Sequence, residues 1–205
     1  MIFLLQSTFW QKLVEADQWL FIKINSGLAN PVFDEVMPFL RNSTHWMPLY
    51  LFLIVFALLN FRARGAWWLL FFFATIAMTD MTGTYLFKHG VMRARPCNDI
   101  DFYSQVRLLV NCSTGYSFTS NHAANHFGMA TFFYITTRHW LGKWAFVGFV
   151  WAALVSLAQV YVGIHYPFDI LGGAMLGLIF GVLTGTFFNK RYGIAIFDNQ
   201  PTYSS

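Results

Sequence analysis

Five apolar runs, separated by short polar segments, limit what this chain can fold into more than any other feature. A helix needs about 20 residues to cross the hydrocarbon core of a bilayer, with a range of roughly 17–25. Two runs are shorter than this, so their polar flanks must complete the crossing. The runs are Trp46–Phe61, Ala66–Phe87, Ala123–Thr137, Lys143–Ile164 and Phe168–Phe188. They predict an all-α fold, a polytopic membrane helix bundle with about five transmembrane helices.

The scarcity of charge supports this class. Only 11% of the 205 residues are charged, whereas 57% are hydrophobic. A soluble domain carries roughly 25% charged residues, so this chain has too little charge to cover a soluble surface. The basic residues are scattered between apolar runs instead of clustered, which argues against a nucleic-acid partner and for the lipid bilayer.

The first 42 residues have a different pattern. Charged residues such as Asp17 and Lys23 interrupt the apolar runs, while Trp10 and Trp19 still leave one apolar side. This pattern predicts one or two amphipathic helices that lie in the membrane interface. The alternative is an ordinary helix that packs against the bundle.

Basic residues predict the orientation of the spans. With five spans, three basic segments fall on one side of the membrane, and none of them contains an acidic residue. Basic loops favour the cytoplasm, so the N-terminus and the loop 89–119 should face outward. The segments contain Arg62 and Arg64, Arg138 and Lys143, and Lys190 and Arg191. The predicted organisation is an interfacial segment 1–42, a transmembrane domain 43–190 with the outer loop 89–119, and a cytoplasmic tail 191–205.

The fifth span contains a glycine at every fourth position: Gly173, Gly177, Gly181 and Gly185. Small residues at this spacing let helix backbones approach closely. We expect them to pack within the monomer, and a homodimer face is the alternative.

Most of the reactive side chains lie in three short stretches. On the predicted topology, all three are at the outer ends of spans two to five. Ionisable residues at membrane depth are candidates for function. The stretches are Lys88–Pro96, Ser117–His122 and Gln159–Asp169. They predict one site assembled from three separated pieces of chain.

The residue types in these stretches suit a phosphate ligand. Lys88 and Arg95 carry positive charge, and an arginine can bind two phosphate oxygens at once. Ser120 and the backbone amides that begin the third span can add donors, because a helix N-terminus favours an anion.

Two histidines in the same stretches suit phosphoryl transfer. His165 can act as a nucleophile, and Asp169 four residues later can hold its ring in one tautomer. His122 is then available to protonate the leaving oxygen near neutral pH.

The order Lys-x6-Arg-Pro, Ser-x-His and His-x3-Asp resembles the type 2 phosphatidic acid phosphatase family. The resemblance covers the chain from about Tyr85 to Leu176. It implies a helical membrane core, no metal and no cofactor. It also implies a lipid substrate such as phosphatidic acid, phosphatidylglycerol phosphate, undecaprenyl diphosphate or a lipid A phosphate. The implied roles are Lys88, Arg95 and Ser120 as phosphate ligands, His122 as general acid, and His165 as nucleophile with Asp169 behind it.

The resemblance further implies a multi-pass protein of a bacterial-type inner membrane. On the orientation predicted above, its active site faces the periplasm or the outside.

The chain departs from the family pattern in its second and third motifs. The second motif usually reads Pro-Ser-Gly-His, and this chain has Thr119 and Asn121 in place of the proline and the glycine. The third motif usually carries Ser-Arg where this chain has Ala158 and Gln159. Asn121 and Gln159 can still donate hydrogen bonds to a phosphate, but Gln159 lacks the charge that makes such bonds strong.

Both cysteines, Cys97 and Cys112, fall in the predicted outer loop. An exported loop is oxidising, so we expect a disulfide that contributes about 3 kcal/mol by the chain-entropy model. Two free thiols are the alternative.

Two other functions fit some of these residues. A metal hydrolase could use His122, His126, His165 and Asp169, although Lys88 and Arg95 would repel the cation. An accessory membrane subunit that binds a lipid without catalysis would explain Gln159. Outside the motifs, we expect His126 to be a packing residue and Asp80 to form a hydrogen bond between helices.

Overall fold

The computed structural model describes the backbone of residues 2–194 and the side chains of residues 8–194. Between these limits the chain is helical and contains no strand, which confirms the predicted all-α class. Of the predicted tail, residues 195–205 lie outside the described part. The helices are α1 (Ile2–Asn25), α2 (Pro31–Arg41), α3 (Met47–Met81), the short α4 (His89–Val91), α5 (Asn121–Leu141), α6 (Val147–Tyr161) and α7 (Pro167–Arg191). A π-helical turn, Thr82–Lys88, extends α3.

Three stretches are long and apolar enough to cross a membrane: Ser43–Asn98, Asn121–Tyr161 and Pro167–Arg191. They contain 56, 41 and 25 residues. Because one crossing takes about 20 residues, each of the first two has the length for two crossings. The chain is therefore a multi-pass membrane protein.

Both long stretches reverse direction near their middle. Arg62 interrupts α3 with φ 50° and ψ −123°, and Gly65 lies against the backbone of Ala57. In a continuous helix these residues would be about 12 Å apart, so α3 is a helical hairpin. Gly142, with φ 57°, separates α5 from α6 in the same way. Five helical segments result, and this geometry supports the prediction of five crossings.

The basic loops lie together at one end of this bundle. Phe61, beside Arg62, contacts the ring of Trp140, and His139 Nε2 lies 2.8 Å from the carbonyl oxygen of Ile194. We call this the basic end. The three reactive stretches lie at the opposite end, which we call the site end.

Helix α5 is the centre of the bundle and packs most extensively against α7. A Cβ atom added at Gly173 would lie 3.0 Å from the Cβ atom of Ala123, and one at Gly181 would lie 2.8 Å from the carbonyl oxygen of Gly128. The glycine stripe of α7 is therefore occupied by α5 of the same chain. This confirms the expected packing within the monomer and leaves the stripe covered.

We predict that Gly177→Ala destabilises the bundle. The added methyl group would lie 2.7 Å from the backbone nitrogen of Gly128, which is too close for either helix to accommodate without moving. Overpacking of this kind costs about 1–3 kcal/mol. Gly90→Ala is the matched control, since nothing lies within 4 Å of its added Cβ atom. Thermal unfolding in detergent should show a lower midpoint for Gly177→Ala alone, and equal midpoints would contradict this packing.

The N-terminal helices pack on the site end through one face. Asp17, Phe21 and Asn25 of α1 are fully buried, and the Asn25 side chain donates to the carbonyl oxygen of Tyr161 at 2.7 Å. On its other face, Trp10 and Trp19 are exposed. Packing against the bundle is thus present, and the location of the exposed face in the membrane interface stays a prediction.

Candidate active site

His165 lies in the turn between α6 and α7 and is buried. Its Nδ1 atom lies 3.3 Å from the Ser117 hydroxyl and 3.5 Å from Asp169 Oδ2. Ser117 also donates a hydrogen bond to this carboxylate. Because the hydroxyl uses its hydrogen to bond Asp169, its oxygen can accept a hydrogen bond from the N–H group at Nδ1. This arrangement favours a ring with the proton on Nδ1 and the lone pair on Nε2.

The electrostatics of the turn keep this ring neutral. Burial lowers the pKa of His165 to about 4, and Asp169 acts in the opposite direction without overcoming it. A neutral imidazole retains the lone pair that a nucleophile needs.

Arg95 faces the Nε2 atom of the His165 ring. Its Nη1 atom lies 3.0 Å from Nε2 and donates to the carbonyl oxygen of Ile164 at 3.1 Å. Its Nε atom donates to the carbonyl oxygen of Gly115. These bonds hold the guanidinium beside Nε2. Positive charge is thereby fixed next to the ring nitrogen that carries the lone pair.

A second arginine, Arg93, fixes the carboxylate behind His165. It donates to Asp169 at 2.9 Å and to Asp17 of α1 at 2.6 Å, and both carboxylates are fully buried. Asp17 also accepts from the backbone nitrogen of Phe168 at 2.9 Å. Burial raises the pKa of Asp17, and the guanidinium of Arg93 opposes this shift. Neither Arg93 nor Asp17 was predicted from the sequence to have a role. The available signal was the presence of Asp17 on an otherwise apolar face of α1.

The two remaining predicted groups, Lys88 and His122, complete the cluster. Lys88 ends the π-helical turn and lies within electrostatic range of Arg95 and Asp169. His122 lies in the first turn of α5, within range of His165 and Lys88. It also lines an open cleft of about 700 Å³ between α2 and the outer loop. The structure thus brings Lys88, Arg95, His122 and His165 together at the site end.

Three other predicted ligands have different surroundings. Ser120 is the N-cap of α5, and its hydroxyl accepts from the backbone nitrogen of Ala123 at 3.4 Å. The Asn121 amide donates hydrogen bonds to Asp80 of α3 and to Thr84 of the π-helical turn. Both of its N–H groups are therefore used, and neither is left for a phosphate. Gln159 is fully buried and accepts from Arg41 Nε at 3.4 Å. Its side chain touches an arginine of α2 that the sequence analysis did not consider.

The residues that were expected to have structural roles have them. Asp80 accepts hydrogen bonds from Asn121 and Asn125, and therefore joins α3 to α5. His126 bonds the carbonyl oxygen of His122 and packs on Trp151. Within the described part of the chain, no three His, Cys, Asp or Glu side chains converge as a metal site requires.

The outer loop is cross-linked within itself and is tied to the turn that carries His165. Cys97 and Cys112 form a disulfide, with their Cα atoms 6.0 Å apart, as the sequence predicted. Tyr166, next to His165, donates from its hydroxyl to Asp99 at 2.9 Å. The loop that carries Arg95 is thereby held against the turn that carries His165.

Comparison with known families decides what kind of protein carries this cluster. A family model of the PAP2 superfamily matches residues 65–192, which is more than half of the chain and contains all three reactive stretches. The chain belongs to the PAP2 superfamily. The resemblance found in the sequence motifs is therefore confirmed.

Curated PAP2 relatives include phosphatases of two kinds. A lipid A 4'-phosphatase of Bacteroides thetaiotaomicron is 31% identical over 169 residues, covering 80% of this chain and 73% of the relative. A second lipid A 4'-phosphatase, from Porphyromonas gingivalis, is 25% identical and covers 82% of this chain and 71% of the relative. An undecaprenyl-diphosphatase of Sulfolobus acidocaldarius is 30% identical, covering 64% of this chain and 58% of the relative.

Two solved structures share the fold. The crystal structure of a transmembrane PAP2 type phosphatidylglycerolphosphate phosphatase from Bacillus subtilis superposes with a TM-score of 0.68 at 25% identity, covering 88% of each chain. Aquifex aeolicus LpxE superposes with a TM-score of 0.60 at 22% identity, covering 80% of this chain and 92% of that one. The second likeness concerns the fold alone.

Proposed function

We propose that this PAP2 protein hydrolyses the phosphate or diphosphate group of a membrane lipid through a phosphohistidine at His165, without a metal ion. The observation that carries the proposal is the 3.0 Å distance between Arg95 Nη1 and His165 Nε2. The opposite ring nitrogen faces Ser117 and Asp169. An attacking nitrogen and a phosphate-binding cation are thus neighbours.

In the first step, His165 Nε2 attacks the phosphorus atom, and the bond between phosphorus and the lipid oxygen breaks. His122 gives its proton to that leaving oxygen. Lys88 and Arg95 balance the negative charge of the transferring group, which is the main task of a protein in phosphoryl transfer. The ring of His165 becomes cationic, and Asp169 stabilises that cation.

In the second step, water attacks the phosphohistidine. His122, now neutral, accepts the proton of this water, and the N–P bond breaks to release inorganic phosphate. The His165 ring returns to its neutral form, with Nδ1 still held towards Ser117 and Asp169.

A lipid substrate suits the surroundings of His122. A second cleft, of about 300 Å³, shares His122 with the first and runs between α3 and α5. It follows α5 from His122 to Met129, a distance of about 10 Å along the helix. A phosphate bound beside His165 would thus be close to a groove that leads into the bundle. The relatives named above act on lipid A and undecaprenyl diphosphate, and we propose a substrate of that class here.

The site end is proposed to face the outside or the periplasm of a bacterial inner membrane. The basic end supports this orientation, because loops rich in Arg and Lys favour the cytoplasm. A lipid phosphate in the outer leaflet would then reach the site directly.

Phosphate release by the purified protein tests the proposed function. The substrates are phosphatidic acid, phosphatidylglycerol phosphate, undecaprenyl diphosphate and a lipid A phosphate, each with and without EDTA. We expect release from at least one of them, unchanged by the chelator. Loss of activity with EDTA would favour the metal hydrolase, and inactivity on every substrate would favour the accessory lipid-binding subunit.

We predict that His122→Ala slows turnover according to the leaving group. General acid catalysis contributes roughly 10²–10⁴-fold and matters most when the leaving oxygen is basic. An alkyl phosphate should therefore lose most of its rate, whereas p-nitrophenyl phosphate, whose leaving oxygen is a weak base, should lose little. The two substrates serve as each other's control in one protein sample. Equal losses on both would contradict the role of His122 as general acid.

A further inference from the structure

The third motif of this chain lacks an arginine, and the structure carries one from elsewhere to the same place. Gln159 occupies the position where the family usually has arginine, and Arg41 Nε donates to Gln159 Oε1 at 3.4 Å. Arg41 is the last residue of α2, 118 positions away in the sequence. We propose that Arg41 is a phosphate-binding residue that replaces the missing motif arginine, an inference that rests on the proposed function.

The placement of Arg41 follows from how α2 docks on α6. Met37 of α2 is buried against the C-terminal turn of α6 and the residues just beyond it. Tyr161 donates from its hydroxyl to Asp34 at 2.6 Å, and Arg107 of the outer loop bonds the same carboxylate at 2.8 Å. These contacts fix one face of α2 against α6 and the outer loop. Its C-terminal residue is therefore held over Gln159.

The guanidinium of Arg41 is free to bind an anion. Arg93 and Arg107 are both paired with aspartates. Among the described residues, by contrast, Arg41 forms no ion pair, and its hydrogen bond to Gln159 uses Nε alone. Its two Nη groups remain as donors, which is the fork that binds two phosphate oxygens.

Arg41 lies near two residues that we assign to the reacting phosphate, His122 and Arg95. Arg41 and His122 line the same cleft of about 700 Å³, and Arg41 lies within electrostatic range of Arg95. Glu35 also lines this cleft, but it is exposed and forms no ion pair with Arg41 in the described structure. Burial lowers the pKa of Arg41, because the guanidinium is partly removed from solvent. A bound phosphate would supply the missing counter-charge.

A series of variants that moves the arginine from position 41 to position 159 tests this inference. Arg41→Gln should lower kcat/KM for lipid phosphate roughly 10- to 150-fold, the range for loss of a hydrogen bond to a charged group. Gln159→Arg alone should bring no gain, because it places two guanidinium groups in contact. The double variant Arg41→Gln/Gln159→Arg should recover most of the lost activity, since it returns the charge to the motif position. A purely structural role for Arg41 would not produce this recovery.

Controls keep the test independent of folding and of the proposed function. Arg138→Gln, at the basic end, should retain wild-type activity, and Arg41→Lys should lose less than Arg41→Gln because it keeps the charge. Binding of orthovanadate, measured by isothermal titration calorimetry, provides a readout that needs no turnover. If the wild type binds vanadate but turns over no lipid, and Arg41→Gln binds it more weakly, the inference stands while the proposed function fails.

The opposite outcome is equally distinct. If the wild type is active and Arg41→Gln stays within twofold of it, the inference is wrong and the proposed function stands. A double variant that folds but is no more active than Arg41→Gln also overturns the inference. A wild type that neither turns over lipid phosphate nor binds vanadate overturns both.

Discussion

Replacing His165 with alanine should abolish phosphate release from every lipid substrate. In the described site, His165 is the nucleophile that lies beside Arg95, whereas the fully buried hydroxyl of Ser117 lies at Nδ1, the ring nitrogen on the other side from Arg95. Loss of a covalent nucleophile in an enzyme can cost roughly 10⁶-fold in rate. Initial rates of phosphate release over a long time course would measure a loss of this size.

The control for this variant is His139→Ala. His139 is at the basic end and bonds the carbonyl oxygen of Ile194, so its loss should leave the rate of phosphate release unchanged. Acid-labile, base-stable radioactivity on the wild type after a brief reaction with ³²P-labelled substrate should be absent from His165→Ala. Undiminished release by His165→Ala would end the phosphohistidine mechanism.

The residues that sequence reasoning found are those whose partners are near in sequence or set by a motif. His165 and Asp169 are four residues apart at the start of α7, and Lys88 and Arg95 lie in one short reactive stretch. Such spacings are visible in the sequence because local backbone geometry determines them. The same holds for the reversal at Arg62, where basic residues interrupt an apolar run.

The end of α6 shows where local reasoning was less accurate. The predicted span continued to Ile164, but the helix ends at Tyr161. Gly163 adopts φ 92°, and a Cβ atom there would lie 2.9 Å from the carbonyl oxygen of Arg107. The outer loop therefore passes directly over this glycine. Hydropathy cannot detect that contact, because the residues of the turn are themselves apolar.

The charged residues that were missed have hydrogen-bond partners that are distant in the sequence. Arg93 lies 76 positions from both Asp17 and Asp169, and Arg41 lies 118 positions from Gln159. The docking of the N-terminal helices on the bundle brings Asp17 to Arg93 and Arg41 to Gln159. The first 42 residues thus place two charged groups next to residues of the predicted site, which the motifs alone place entirely between α3 and α7.

The Arg93 network leads to the second large effect. Arg93→Met should destabilise the protein by about 3–5 kcal/mol, the usual cost of removing one partner from a buried ion pair. Two fully buried carboxylates, Asp17 and Asp169, would lose their cation together. Since burial already raises the pKa of Asp17, its carboxyl should then bind a proton instead of remaining charged. Turnover should also fall, because Asp169 would no longer be held behind His165.

The matched control is Arg107→Met, which makes the same substitution in an ion pair that is more open to solvent. The side chains of Arg107 and Asp34 are 29% and 38% exposed, and pairs at the surface contribute about 0–1 kcal/mol. Thermal unfolding in detergent should therefore separate the two variants clearly. Asp17→Asn in the Arg93→Met background should recover part of the loss, because the amide is neutral without first having to take up a proton. Equal stabilities for the two arginine variants, or no recovery in the double variant, would contradict the buried network as the link between the N-terminal helix and the site.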